Sequence, residues 1–139
     1  MNALRIVVAV DGSDSSLEAV KWAAGLARSL QCEVVAVHAL GLLEQIGSQA
    51  EPVPVEGHRQ EIDNAFAERW CQPLMAAGVV YSRRLEYGRP ADVILRHAQE
   101  ADLIVLGHRR DRPRTGMIIG STSAQVVQDS TCPVVVVPR

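Results

Sequence analysis

The chain has 139 residues, 47% of them apolar and 22% charged, with a formal net charge of −2; this is the balance of one globular domain spanning 1–139, long enough to bury a core. So small a net charge gives nucleic acid or an anionic membrane little to hold, and no apolar run approaches the ~20 residues that span a bilayer. Lys21 is the only lysine beside thirteen arginines, which excludes a P-loop, because that mechanism needs a lysine after its glycines.

Met1-Asn2-Ala3-Leu4-Arg5 leads into a strand-like run without the basic segment and small-residue cleavage site of a signal peptide, so a cytoplasmic location is expected. Ile6 to Val10 is unbroken apolar sequence, as in a parallel strand covered on both faces. Asp11-Gly12-Ser13-Asp14-Ser15-Ser16 then supplies turn and N-cap chemistry. Leu17, Val20, Ala24 and Ala27 recur at helical spacing up to about Leu30. Glu33 to Ala39 reads as a second strand, and the stretch from Leu40 to Gly57, with Pro52 and Pro54, as a surface excursion without a clear period.

A long amphipathic helix is expected from Arg59 to Ala77, with Ile62, Phe66, Trp70 and Leu74 on one core stripe. Pro73 inside it predicts a kink or an early end. Val79 to Tyr87 forms a third strand, and Gly88-Arg89-Pro90 a turn with Pro90 at a first helical position. Val93, Ile94, His97 and Ala98 mark a helix ending near Ala101. Asp102 to Leu106 is the fourth strand, a helix opens at Gly120, and Val134 to Val137 is the fifth strand.

Strands alternating with helices predict an α/β architecture, a doubly wound five-stranded parallel sheet with helices on both faces. Ligands of such sheets bind outside the carboxyl ends of the strands, at the topological switch point. Asp11, His38-Ala39 and Gly107 all fall at such ends. Gly120-Ser121-Thr122-Ser123 adds a helix start, whose unpaired N–H groups and positive dipole end favour an anion. The four histidines and the three cysteines (Cys32, Cys71, Cys132) lack metal-ligand spacing, so no metal site and no catalytic constellation is expected, and the thiols read as reduced. His38 and His97 read as packing or capping side chains.

The residues also carry a family resemblance. Ile6-Val7-Val8-Ala9-Val10-Asp11-Gly12-Ser13 is similar to the opening of the universal stress protein family. Tyr87-Gly88-Arg89-Pro90-Ala91, Asp102 to Gly107, Gly120-Ser121 and Thr131-Cys132-Pro133 with its valine run continue the likeness over essentially the whole chain. It implies an adenine nucleotide alpha hydrolase-like, Rossmann-like fold and a stress-response regulator binding ATP, AMP or cyclic AMP, with Mg2+ accompanying the phosphates. Carried over by position, Ala9, Val10 and Asp11 would line the adenosine side, Asp11 near the ribose or a phosphate-bound metal. Ala39 would lie against adenine, and Leu106 and Gly107 near ribose and base. Gly120, Ser121, Thr122 and Ser123 would hold phosphates; ordinary N-capping by the hydroxyls, and turn-ordering by Asp11, are the structural alternatives.

The nucleotide-binding subgroup has a glycine at the position of Arg110. Two readings stay open there. A side chain costs ~1–2 kcal/mol in a left-handed conformation and fills the space of the phosphates; an arginine fork can equally replace the lost contact. The run His108 to Arg114 carries four arginines and one aspartate, a clamp for polyphosphate or an acidic partner, or a solvated loop. The resemblance further implies a homodimer through the C-terminal strand, an unidentified regulatory protein partner, and at most slow incidental ATP hydrolysis. The alternative is a universal stress protein without nucleotide that acts through its dimer surface. An adenylating enzyme would need Ser-Gly-Gly-x-Asp-Ser where this chain has Asp11-Gly12-Ser13-Asp14-Ser15-Ser16, and a receiver domain would need a late lysine.

Overall fold

A computed structural model describes residues 4–40, 55–108 and 121–138. Strand β1 (Arg5–Ala9) leads to helix α1 (Asp14–Leu30) and strand β2 (Glu33–Leu40). Helix α2 (Val55–Ala65), a π-helical turn (Phe66–Trp70) and helix α3 (Gln72–Ala77) precede strand β3 (Tyr81–Tyr87). Helix α4 (Pro90–Ala98), strand β4 (Leu103–His108), helix α5 (Ser121–Asp129) and strand β5 (Val134–Pro138) complete the order. The five strands form one sheet in the order β3-β2-β1-β4-β5, every pairing parallel. The expected doubly wound α/β sheet is therefore the one observed, with the switch in strand order between β1 and β4.

Alternate residues of each strand serve opposite layers. Ile6, Val8, Val34, Ala36 and Val105 pack with Ala19, Val20, Ala23 and Ala27 of α1 and with Phe66 and Leu74. On the other face Ile104 and Leu106 meet Ala91, Ile94 and Ala98 of α4 and Val126 of α5. Small residues along α1 let it lie close to the sheet, and Ser13 caps it, accepting from the Ser16 N–H at 3.2 Å.

The continuous helix expected over Arg59 to Ala77 is corrected to three segments. Its stripe explains the interruption. An α-helix turns about 100° per residue, so side chains four apart drift by roughly 40° each step. From Ile62 to Leu74 a straight helix would carry the stripe about a third of a turn away from the core. One added residue in a π-turn takes most of that drift back, and Phe66 and Leu74 both end fully buried. Pro73 sits in the first turn of α3, where its missing N–H breaks no helical bond. Other boundaries move less: α2 starts at Val55, within the expected excursion, α4 ends at Ala98, and β4 runs on to His108.

Cys32 and Cys71 are buried free thiols and Cys132 a half-buried one. Burial pushes the Cys71 thiol from 9.0 up to about 11, with Arg83 opposing in part. The folded chain thus holds this proton to higher pH than the unfolded chain does. Its contribution to stability is complete below pH 9 and is lost as pH rises toward 11. Urea unfolding at stepped pH should show that decline in the wild type, and Cys71→Ala should flatten it.

The carboxyl edge of the sheet as candidate functional site

Val10 donates its N–H to the Val37 carbonyl at 2.8 Å, and there β1 leaves the ladder. Its own carbonyl is taken by buried His38, whose Nδ1 donates at 2.6 Å. His38 is thus a packed, hydrogen-bonded residue, as expected, and the bond fixes its Nδ1 as the protonated nitrogen. Gly12 follows at φ 83°, a conformation that a side chain would strain.

Asp11 is exposed at this edge and orders the turn around itself. Its Oδ1 accepts from the Ser13 N–H at 2.9 Å and from the Ser13 hydroxyl at 2.5 Å. Its N–H donates to Ser16 Oγ at 3.0 Å. Because the one Ser13 hydroxyl proton goes to Asp11, Ser15 must be the donor in the 3.1 Å Ser13–Ser15 contact. The carboxylate thereby lies at the positive end of α1, which stabilises it as an anion.

Gly107, near the end of β4, lies beneath this turn. A Cβ there would fall 2.5 Å from the Ser15 carbonyl carbon, 3.0 Å from the Ser16 nitrogen and inside contact distance of the Ser15 oxygen. All three are backbone atoms and cannot swing away. The glycine is therefore required by the crossing of α1 over β4, whatever else approaches it. Nothing in the strand pattern revealed that reason.

On the other face Ala9 and Leu106 share a cluster with Val126 of α5, and Ala39 packs beside Val7, Val37 and Val93. Thr122 and Ser123 lie in the first turn of α5, half-buried, one turn before Val126. The edge thus brings Ala9, Val10, Asp11, Ala39, Leu106 and Gly107 to the strand ends, between the starts of two helices on opposite faces. Arg110 and Gly120, with Arg109 and the rest of the run to Arg114, lie outside the described residues; Ser121 opens α5 but its side chain is also outside them. Among the described residues no three His, Cys, Asp or Glu side chains gather into a metal site. Asp11 offers a carboxylate oxygen at this edge, a donor of the kind that magnesium takes.

The opposite, amino edge has a depression of about 490 Å³ bordered by Arg5, Glu33, Arg84, His97 and Glu100. Most of its charge is already paired: Arg5 with Glu33 and, at 3.5 Å, with Glu100, and His97 with Glu86. The Glu33 carboxylate accordingly raises the pKa of the Arg5 guanidinium. Among the described residues no helix is long and apolar enough to cross a membrane.

The model of the universal stress protein family matches residues 3–138. The chain belongs to that family. A universal stress protein of Methanocaldococcus jannaschii is 31% identical over 97% of this chain and 82% of its own length. Among solved structures, the universal stress protein of Archaeoglobus fulgidus in complex with dAMP superposes with a TM-score of 0.72 at 25% identity, covering 98% of each chain. A universal stress protein in complex with cAMP superposes with a TM-score of 0.67 at 25% identity, covering 99% of this chain and 98% of its own.

Gly107→Ala should destabilise the protein by about 1–3 kcal/mol, the usual range for a group forced into packed surroundings. The midpoint of urea unfolding should fall accordingly, with no ligand present.

Proposed function

We propose that this universal stress protein is a cytoplasmic, single-domain regulatory protein that binds an adenine nucleotide at the carboxyl edge, between β1 and β4. The observation that carries the reading is the switch in strand order between β1 and β4, which sets the Asp11 turn and the start of α5 at the carboxyl ends of the strands; ligands of doubly wound sheets bind at such switch points. Two solved relatives of the same fold hold dAMP and cAMP, which favours an adenine nucleotide over other anions.

In this reading Ala39 lies against adenine, and Ala9, Val10, Leu106 and Gly107 border the adenosine. Asp11 meets the ribose or a phosphate-bound magnesium ion. Gly120, Ser121, Thr122 and Ser123 bind phosphate through N–H and hydroxyl groups at the positive end of α5, and Arg110 supplies a guanidinium where other members have a glycine. Magnesium, when bound, neutralises phosphate charge. Chemistry beyond binding is not required, and any ATP hydrolysis is slow and incidental.

Calorimetric titration of the nucleotide-free protein with ATP, with and without magnesium, tests this. The expected Kd is micromolar. Arg110→Ala should weaken ATP about tenfold, in line with loss of one charged hydrogen bond, and AMP much less. No binding by the wild type alongside binding by Arg110→Gly would mean that the arginine closes the site, and would move the function to the dimer surface.

The dimer itself is proposed through β5. That strand lies at one edge of the sheet, Val134, Val135 and Val136 keep partial exposure, and an open apolar edge favours pairing with a second strand. Light scattering at micromolar concentration should give twice the monomer mass, and Val135→Lys should shift the protein toward the monomer.

A further inference from the structure

We propose that Trp70 is a positioning residue for the Asp11 turn, held under Gly12 by the π-turn and acting on the backbone that presents the carboxylate. A Cβ on Gly12 would lie 2.6 Å from Trp70 Cζ2, 2.7 Å from Cε2 and 3.0 Å from Nε1. The Gly12 backbone therefore rests directly on the indole, at the residue whose φ of 83° creates the turn.

A second contact acts on the residue before Asp11. The Trp70 ring meets the His38 ring edge-on, with centroids 5.1 Å apart and planes at 68°, the arrangement that aromatic quadrupoles favour. Phe66 closes the group from behind, 6.2 Å from His38 and 5.9 Å from Trp70. His38 in turn holds the Val10 carbonyl. One indole thus bears on Val10 through His38 and on Gly12 directly, and Asp11 lies between them.

The π-turn is what lets one segment serve both ends. Phe66 and Trp70 are its first and last residues, and an i→i+5 turn displaces the second from the line that a regular helix would give it. Phe66 is fully buried, whereas Trp70 is only half-buried and reaches the carboxyl edge.

The affinity arm of the test rests on the nucleotide reading above, and the exchange arm does not. Trp70→Phe and Trp70→Ala are compared with the wild type by amide hydrogen exchange of the ligand-free protein. The Asp11 and Ser13 amides, bonded to Ser16 Oγ and Asp11 Oδ1, should exchange about tenfold faster in Trp70→Ala and less so in Trp70→Phe, while those of Val8 and Val105 keep their rates. Unchanged exchange at Asp11 and Ser13, or equal acceleration at Val8, would overturn the proposal, since either would make Trp70 ordinary packing. If Trp70→Ala does not fold, Trp70→Phe decides by the same comparison.

In a protein that binds ATP, Trp70→Ala should raise Kd about tenfold, and adding Asp11→Asn should cost little more than either change alone, because both act through one carboxylate. Fully additive losses would overturn the proposal. A wild type that bound no nucleotide would remove the functional reading alone, with the exchange result still deciding the role of Trp70.

Discussion

The first turn of α1 crosses the end of β4 so closely that position 107 has room only for hydrogen. Much of the carboxyl edge depends on that crossing. It brings Ser15 and Ser16 down onto the sheet, where both are buried and their hydroxyls bond within the turn. The Ser16 hydroxyl takes the Asp11 N–H and Ser13 takes the carboxylate, so the helix cap and the acidic residue form one hydrogen-bonded unit. Buried polar groups left without partners would cost about 1–3 kcal/mol each, and none is left among the described side chains.

Part of this was legible from the sequence for plain reasons. The runs Ile6 to Val10 and Leu103 to Leu106 have no polar face, as suits a parallel strand covered on both sides. Small residues at helical spacing along α1 and Pro90 after a glycine turn are equally direct signals. The interruption at Phe66–Trp70 was not read, although the stripe of side chains four apart contained it: a strict period of four does not fit a helix of 3.6 residues per turn. The partners of Gly12 and Gly107 were beyond reach, because each contact joins segments far apart in the chain, Gly12 with Trp70 and Gly107 with Ser15.

That distinction changes how the glycine motif is weighed. Gly107 is needed by helix–strand packing even in an empty protein, so its presence says little about ligand. The same holds for Asp11, whose hydrogen bonds within the turn are complete enough to account for a carboxylate there. What would separate a nucleotide site from a well-built turn is positive potential beside the start of α5. Arg110, where the resemblance implies a glycine in the nucleotide-binding subgroup, lies outside the described residues.

Charge differs between the two helix starts at the carboxyl edge. Asp11 contributes a negative charge at the α1 side, partly offset by the helix terminus. A triphosphate set directly against it would meet repulsion, which Mg2+, when bound, would offset by neutralising phosphate charge. The start of α5 offers the reverse: N–H groups and the hydroxyls of Thr122 and Ser123, with no acidic residue in its first turn. In the proposed orientation the neutral part of the ligand therefore lies toward β1 and β2, over Ala9 and Ala39, and its charge toward α5. A nucleotide would suit both halves of the proposed site because it is itself divided in this way, with an uncharged planar base at one end and anionic phosphate at the other. A free phosphate would use only one half and leave the other without a partner.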